Sequence, residues 1–323
     1  MGTDPKPRLK PPALQPGDTI GVVAPASPFN KETFDSGCAR WREWGYKVVF
    51  DDAIFDREPP YFAGTAVARA RQVEAMFRRS DVRAIVCARG GYGCNYLLGR
   101  IDLDLIRGNP KIFMGYSDIT TLLTWFHDSA GLITFHGPMM NKDYATDDGV
   151  HKLSLIAVLG GASEWNLGAA AGIEAVVEGQ GEGTLYGGCL SMLVASLGTP
   201  YEVRTEGTLL FIEDVATKPY QIDRMLMHLK LAGKFEGVRG IIFGEMLDCR
   251  QSENQGYELQ DVVRRVLGDL HVPIAYGLRS GHVSRGNVTL PIGVRASLNV
   301  GQKASIIIRE AAVTPAAVTA RQS

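Results

Sequence analysis

Residues 111–126 read Lys-Ile-Phe-Met-Gly-Tyr-Ser-Asp-Ile-Thr-Thr-Leu-Leu-Thr-Trp-Phe, an apolar run followed at once by a helical pattern. The run predicts a buried strand over 111–115, and the apolar spacing after it predicts a helix from Asp118 or Ile119 onward. Ser117 lies at the turn between them. A short strand-to-helix turn holds a side chain clear of the sheet, as a nucleophilic serine requires, although a serine that begins a helix is also a common N-cap.

The same alternation extends on both sides of this turn. Short β-branched runs alternate with helical patterns from Thr19 onward, an order that predicts parallel strands joined by crossover helices. Predicted strands cover 19–24, 47–50, 84–88, 111–115 and 132–135, and predicted helices cover 31–44 and 65–79. We therefore predict a doubly wound, Rossmann-like α/β domain over residues 13–160, whose ligands bind beyond the carboxyl ends of the strands.

A change of composition marks the end of this domain. Glycine and alanine crowd into residues 159–172, and we interpret residues 161–182 as an interdomain linker or an active-site loop. The pattern after it predicts a smaller, β-rich, mixed α/β C-terminal domain over 183–310. Its predicted strands cover 184–186, 208–212, 240–243, 294–298 and 304–309, and its predicted helices cover 189–197, 219–231 and 259–267. Residues 311–323 have no periodicity and predict a disordered tail.

The composition is typical of a globular protein without a strong overall charge. The chain has 323 residues, 45% of them hydrophobic, and 34 basic residues balance 35 acidic ones. We therefore expect neither nucleic acid nor a membrane as a partner. Residues 1–17 lack the apolar core of a signal peptide, and the five cysteines include no CxxC pair. A disulfide framework and a zinc site are both disfavoured, so we expect a cytoplasmic protein whose cysteines do not bind zinc.

A serine nucleophile needs a base, and the usual base is an imidazole oriented by a carboxylate. Of the six histidines, His282 is the best candidate because it lies in a glycine-flanked loop, Ser280–Asn287, where packing does not require a histidine. A loop histidine exposed to water is the alternative. His136 ends a strand of the first sheet and is the second choice for the base.

A carboxylate emerges at the end of another predicted strand. Glu213 and Asp214 follow the apolar run 209–212, although two acids at that place could simply solvate a loop. Residues 218–224 are rich in polar groups at the start of a predicted helix, which suggests a pocket lined by polar side chains.

A glycine-rich loop follows the third predicted strand. Residues 88–93 read Ala-Arg-Gly-Gly-Tyr-Gly, and three glycines in four residues let backbone N–H groups face an anion, either a phosphate or an oxyanion. The loop matches neither the P-loop nor the dinucleotide fingerprint. Because its strand would neighbour that of Ser117, we favour stabilisation of an oxyanion.

Seven segments together resemble the LD-carboxypeptidases, the serine peptidases of the murein tetrapeptide carboxypeptidase and microcin C self-immunity group. Each segment is weak alone, but all occur in the family's order between about residues 13 and 309. The segments are Gly17-Asp18-Thr19-Ile20-Gly21-Val22-Val23-Ala24-Pro25-Ala26-Ser27, Ala88-Arg89-Gly90-Gly91-Tyr92-Gly93, Gly115-Tyr116-Ser117-Asp118-Ile119-Thr120, Phe135-His136-Gly137-Pro138, Gly187-Gly188-Cys189-Leu190-Ser191, Phe211-Ile212-Glu213-Asp214 and Gly281-His282.

The resemblance implies a serine hydrolase whose site is split between two domains. The family's triad carries onto Ser117, Glu213 and His282, and its oxyanion hole onto the backbone N–H groups of Gly91 and Asp118. The implied enzyme is metal-independent and commonly a homodimer. It removes the terminal D-alanine of murein tetrapeptide, at the bond after meso-diaminopimelate.

Residues that recognise the substrate are harder to assign from the sequence. Arg89, Lys218, Tyr220 and Arg224 could contact carboxylates, or they could make interdomain ion pairs. Trp165 could stack on an aromatic ligand, as in microcin-type members of the family, or it could anchor its loop.

Three functions stay open at this point. The first is an LD-carboxypeptidase of cytoplasmic murein recycling. The second, within the same family, is hydrolysis of acyl-sulfamoyl adenylates or aminoacyl-nucleotide amides. The third is a non-catalytic binding protein or a metal-dependent amidase, which is disfavoured because the triad residues are present and no acidic or histidine cluster has ligand spacing.

Overall fold

The computed structural model describes residues 8–167, 172–251 and 256–315, and its strands form a six-stranded and an eight-stranded sheet. The N-terminal half has the strands β1 (Thr19–Val23), β2 (Lys47–Val49), β3 (Val82–Cys87), β4 (Ile112–Gly115) and β5 (Thr134–His136). Its helices are α1 (Lys31–Glu43), α2 (Ala66–Arg78), α3 (Leu103–Gly108), α4 (Thr120–Trp125) and α5 (Lys152–Gly160).

Five parallel strands form the body of the first sheet, in the order β2-β1-β3-β4-β5. Helices connect successive strands, so the predicted doubly wound α/β fold is confirmed. The order is the flavodoxin-like variant of that fold, and it reverses between β1 and β3. Ligands of such sheets bind beyond the carboxyl ends of the strands near the reversal, where the loops after β1, β3 and β4 lie.

The C-terminal half builds the second sheet. Its strands are β6 (Trp165–Asn166), β7 (Glu174–Val177), β8 (Gly179–Cys189), β9 (Thr208–Glu213), β10 (Gly240–Gly244), β11 (Ile274–Leu278), β12 (Leu290–Ile292), β13 (Arg295–Val300) and β14 (Ala304–Ile308). Its helices are α6 (Leu190–Ala195), α7 (Pro219–Leu231) and α8 (Leu259–Leu267).

The second sheet has the order β6-β14-β13-β8-β9-β10-β11-β7. Strands β8 to β11 run parallel, and the strands that flank them are antiparallel. The predicted mixed α/β character is therefore confirmed. All six residues of β9 are buried, as expected for a central parallel strand that is covered on both faces.

Strand β12 crosses from one half of the chain to the other. It lies in sequence between β11 and β13 of the second sheet, but it pairs antiparallel with β5 and forms an edge of the first sheet. The segment 279–289, which joins β11 to β12, therefore runs between the two sheets. The sequence pattern missed both of these strands.

Two other segments are more ordered than expected. Residues 161–182 include β6, β7 and the start of β8, while 168–171 fall outside the described residues. The prediction of a disordered tail is wrong for residues 311–315, because Ala312 and Val313 are buried and the Thr314 N–H donates to Pro11 O at 2.8 Å. Residues 316–323 lie outside the described part of the chain. Among the described helices, none is long and apolar enough to cross a membrane.

Candidate active site

Ser117 lies at the turn between β4 and α4, as the sequence predicts. It begins a short 3₁₀ turn, Ser117–Ile119, and its side chain is half-buried. Its backbone φ is 63°, a left-handed conformation that costs a residue with a side chain on the order of 1–3 kcal/mol. Strain of this kind at a strand-to-helix corner is typical of a nucleophile elbow.

The glycine loop after β3 lies directly beside this serine. A Cβ placed on Gly90 would lie 2.8 Å from the Cβ of Ser117. Gly91 has a φ of 107° and is exposed, and a Cβ there would lie 2.6 Å from the Cβ of Ser27. In the hydrogen bonds found within the described residues, neither the Gly91 N–H nor the Asp118 N–H donates to a protein acceptor. Both groups are therefore available to an oxyanion.

Two buried charged side chains hold the glycine loop in place. The Asp118 carboxylate accepts a hydrogen bond from the Cys94 N–H at 2.8 Å. The Arg69 guanidinium donates to Gly93 O at 2.8 Å and also to Pro25 O, and the arginine is 1% exposed. Burial raises the pKa of Asp118, against the opposing hydrogen bonds from Cys94 and the charge of Arg69. The loops after β1 and β3 are thus fixed against the serine turn.

Glu213 is the last residue of β9 and is fully buried. Its Oε2 accepts hydrogen bonds from the His282 backbone N–H at 3.0 Å and from His282 Nδ1 at 2.8 Å. With its Nδ1 donating to the carboxylate, the neutral imidazole of His282 keeps an unprotonated Nε2. This is the arrangement in which a histidine serves as a general base.

The loop that carries His282 is shaped to reach Glu213. Gly281 has a φ of 93°, and a Cβ there would lie 2.5 Å from the Cδ of Glu213, so only glycine permits this approach. The Asn287 side chain accepts from the Gly281 N–H at 3.0 Å and donates to Gly281 O at 3.1 Å. It also donates to Asp143 at 3.2 Å, which ties the loop to the N-terminal half.

The pair of Glu213 and His282 has the electrostatics of a carboxylate and base. Burial alone would raise the pKa of Glu213, but the charge and hydrogen bonds of His282, with the neighbouring His136, hold that pKa well below its usual range. Burial alone would lower the pKa of His282, but the charge of Glu213 and its hydrogen bond raise the pKa above the ordinary value. The carboxylate therefore stabilises the imidazolium form.

The structure brings the serine turn and the histidine together through Tyr116. The Tyr116 ring packs edge-on against the His282 ring, with centroids 5.1 Å apart. Ser117 follows Tyr116 directly. Within the described residues, the Ser117 hydroxyl makes no hydrogen bond to His282, and in serine hydrolases this contact often tightens only when substrate binds.

His136, the second choice for the base, is not placed to act on a substrate. It is 0% exposed and lies behind Glu213, with its Nε2 3.7 Å from Glu213 Oε1. Its Nδ1 is 3.0 Å from the Ser280 hydroxyl. The interpretation of His136 as the base is therefore wrong, because neither ring nitrogen reaches the cleft.

Models of the LD-carboxypeptidase N-terminal domain and C-terminal domain match residues 20–137 and 182–298. The chain belongs to the LD-carboxypeptidase family. Ser117 and Gly91 fall in the first match, whereas Glu213 and His282 fall in the second. The resemblance drawn from the seven sequence segments is thus confirmed.

Several relatives match this chain over nearly its full length. A probable murein peptide carboxypeptidase of Bacillus subtilis is 39% identical, over 96% of this chain and 97% of that protein. The murein tetrapeptide carboxypeptidase of Pseudomonas aeruginosa is 30% identical, over 86% of this chain and 92% of that protein. The structure of MccF in complex with glutamyl sulfamoyl guanosine matches with a TM-score of 0.86 and 25% identity, covering 95% of this chain and 100% of that one.

The cationic candidates for substrate contact lie at the surface of the chain. Arg89, in the glycine loop, donates to Pro28 O at 2.9 Å. Lys218 caps the N-terminus of α7, and Arg224 lies over the ring of Tyr220 at 5.7 Å. In the described parts of the chain these three cations make no ion pair, so the interdomain ion pairs considered as an alternative are not found there. Their contact with substrate stays a prediction.

Trp165 makes structural contacts. It lies in the edge strand β6, pairs with Ile308 and packs against the hydrophobic core. This is the anchoring alternative, whereas contact with a ligand stays untested.

Sequence reasoning missed Arg69, the Asp118 carboxylate and the place of His136. Arg69 lies one residue before Ala70 and four before Val73, on the buried face of α2. A charged residue on an apolar helix face was the signal that could have revealed it. Among the described residues, no group of three or more histidine, cysteine, aspartate or glutamate side chains could hold a metal ion.

Proposed function

We propose that this chain is a serine-type LD-carboxypeptidase that removes the terminal D-alanine from murein tetrapeptide, at the bond after meso-diaminopimelate. The observation that carries the proposal is the buried carboxylate of Glu213 hydrogen-bonded to His282, next to a strained corner serine and two available N–H groups. Relatives named murein peptide and murein tetrapeptide carboxypeptidase support the substrate class.

In the first half of the reaction, Ser117 Oγ attacks the carbonyl carbon that precedes D-alanine. His282 Nε2 takes the hydroxyl proton, and Glu213 stabilises the resulting imidazolium. The negative charge that develops on the carbonyl oxygen is stabilised by the N–H groups of Gly91 and Asp118. The imidazolium then gives its proton to the leaving nitrogen, the C–N bond breaks, and D-alanine departs.

In the second half, a water molecule repeats the sequence on the acyl-enzyme. His282 takes a proton from the water as its oxygen attacks the ester carbonyl. The ester bond to Ser117 breaks, and His282 returns the proton to the serine oxygen. The products are the tripeptide, with a new carboxylate, and the unchanged enzyme.

The remaining parts of the proposal concern the setting of this reaction. We place the enzyme in cytoplasmic murein recycling, acting without a metal or other cofactor, as a homodimer. Arg89, Lys218, Tyr220 and Arg224 are proposed to contact the charged groups of the peptide, because guanidinium and ammonium groups suit carboxylates.

The direct test is mass spectrometry of murein tetrapeptide incubated with the wild-type protein. Loss of one D-alanine residue from the peptide is the expected result. A tetrapeptide left intact, under conditions where the protein is folded, would refute the proposed substrate.

A second candidate function is hydrolysis of acyl-sulfamoyl adenylates or aminoacyl-nucleotide amides. The match to MccF in complex with glutamyl sulfamoyl guanosine supports it. Incubation with both compounds separates the two functions, because turnover of the nucleotide conjugate alone would select the second. The murein function is preferred because Trp165, the indole considered for base stacking, packs on the core.

Replacing Gly91 with alanine is expected to lower kcat about 100- to 1000-fold with little change in KM. The new Cβ would collide with Ser27, and alanine is strained at a φ of 107°, so the Gly91 N–H would turn away from the oxyanion. Steady-state kinetics on the tetrapeptide measure the effect. The matched control is Gly108→Ala, where a Cβ meets nothing within 4 Å. Equal kcat in the two variants would exclude this N–H from the oxyanion hole.

A further inference from the structure

His136 and its neighbours form a second buried histidine site on Glu213, apart from the contact with His282. His136, Ser280 and Glu213 are each 0% exposed. The ring of His136 packs against Phe211 and Tyr116, with centroids 5.0 and 6.1 Å away. The ring is therefore fixed in one orientation between the two sheets.

The neighbouring hydrogen-bond donors and acceptors decide whether His136 Nδ1 carries a proton. The Ser280 hydroxyl lies 2.8 Å from Val288 O and 3.0 Å from His136 Nδ1. A carbonyl oxygen can only accept, so the single hydroxyl proton of Ser280 must go to Val288. Ser280 Oγ can then only accept from His136, and Nδ1 must carry a proton.

The other ring nitrogen faces a carboxylate oxygen. His136 Nε2 lies 3.7 Å from Glu213 Oε1, and within the described residues neither atom has a hydrogen-bond partner. A neutral ring with its proton on Nδ1 would turn the lone pair of Nε2 toward a buried negative charge. Such an arrangement is repulsive between two buried atoms, whereas a proton on Nε2 makes it attractive.

We infer that His136 is a doubly protonated positioning residue that binds Glu213 Oε1, so that one buried carboxylate is shared by two imidazoles. This inference rests on the proposed function only for its catalytic consequence. Oε1 is held by His136 and Oε2 by His282, so the carboxylate cannot rotate away from the base. The positive charge of His136 also opposes protonation of His282, which lies on the other side of Glu213.

The first test reads the ring protons directly. In protein labelled with ¹⁵N at the histidine ring nitrogens, NMR at neutral pH is expected to show His136 with protons on both Nδ1 and Nε2. The signal is assigned by its loss in His136→Gln and its survival in His282→Gln. An unprotonated Nε2 would overturn the inference. If His136→Gln does not fold, the signal is assigned instead as the one that survives when each of the other five histidines is replaced by glutamine.

The second test is the pH profile of kcat/KM for His136→Gln. The glutamine can still donate toward Glu213 but has no charge. The titratable groups around the ring are Glu213 and Tyr116, and Asp143 lies next to Tyr116. Across the carboxylate, His282 also faces the charges of Asp214 and Lys142, which this variant leaves in place. Loss of the cation removes repulsion on protonated His282, so the pKa of His282 rises. The acid limb of the profile, where kcat/KM falls with acidification, then moves up by about one pH unit.

We also expect kcat to fall roughly tenfold or more in this variant, with a smaller change in KM, since orientation of the base is impaired. The matched control is His228→Gln on the exposed face of α7, which is expected to leave both kcat and the profile unchanged. An acid limb that stays in place in His136→Gln would contradict the inference. If wild type releases no D-alanine, the proposed function fails, whereas the NMR result still decides the protonation of His136.

Discussion

Replacing Ser117 with alanine is expected to reduce release of D-alanine from murein tetrapeptide by roughly 10⁴- to 10⁶-fold. The alanine has no oxygen to form the acyl-enzyme, and neither His282 nor the N–H groups of Gly91 and Asp118 can supply one. The fold should survive, because alanine keeps the same backbone with a φ of 63° and the hydroxyl makes no hydrogen bond within the described residues. Mass spectrometry of the digested peptide measures the loss.

The control for this experiment is Ser36→Ala, on the exposed part of α1. It is expected to keep full activity. Circular dichroism of Ser117→Ala should match wild type, so that lost activity is assigned to chemistry rather than to unfolding. Unchanged turnover by folded Ser117→Ala would refute the serine mechanism and would leave the buried Glu213–His282 pair without a nucleophile to activate.

Replacing Glu213 with glutamine is expected to lower kcat/KM by roughly 10³- to 10⁴-fold. Glutamine has the same shape, but its amide offers one acceptor instead of a charged pair of oxygens. His282 then loses the partner that fixes its tautomer and stabilises its imidazolium form. Steady-state kinetics on the tetrapeptide measure the effect, and Glu236→Gln, an exposed position, is the matched control that should retain activity.

The same variant makes a pH prediction of definite sign. In wild type, the charge of Glu213 raises the pKa of His282 above its ordinary value, so activity falls with acidification at a pH above that value. Without the charge, burial dominates and lowers the pKa of His282. The acid limb of kcat/KM in Glu213→Gln should therefore lie at lower pH than in wild type. A limb that stays in place would show that another group, rather than His282, is the base.

The two variants that perturb Glu213 shift the profile in opposite directions. Glu213→Gln removes a negative charge next to His282 and moves the acid limb down. His136→Gln removes a positive charge and moves the limb up. A purely structural disturbance of the site would lower the rate without producing these opposite shifts, so the comparison separates electrostatics from loss of packing.

Much of the fold could be predicted because its signals are local. The five parallel strands of the first sheet, and helices such as α7 (Pro219–Leu231), show in the chain as apolar runs and helical spacing. Two of the missed strands had no such signal. Strand β12 (Leu290–Ile292) has three residues with a central proline, and β6 (Trp165–Asn166) has two, so neither forms a pattern that a sequence can reveal.

The candidate site was predicted in part for the same reason. Ser117, Glu213 and the glycine loop each follow an apolar strand, which places them at strand ends. His282 stood out as a histidine in a loop flanked by glycines. By contrast, His136 was misassigned as a possible base, because a strand-end histidine looks the same in sequence whether it faces a cleft or the back of a carboxylate.

The order of residues along the chain specifies the alternation of strands and helices, the doubly wound first sheet, and which residue types follow the strands. These properties depend on neighbours a few positions apart. The place of Glu213 between two imidazoles depends instead on the folded chain, since the contact between His136 and Ser280 joins residues 144 positions apart. That contact exists because the chain leaves the second sheet after β11 and β12 then pairs with β5 of the first sheet, which carries the His282 loop across to the serine. Pairing between sheet edges depends on the assembled backbone, and no local pattern of residues specifies it.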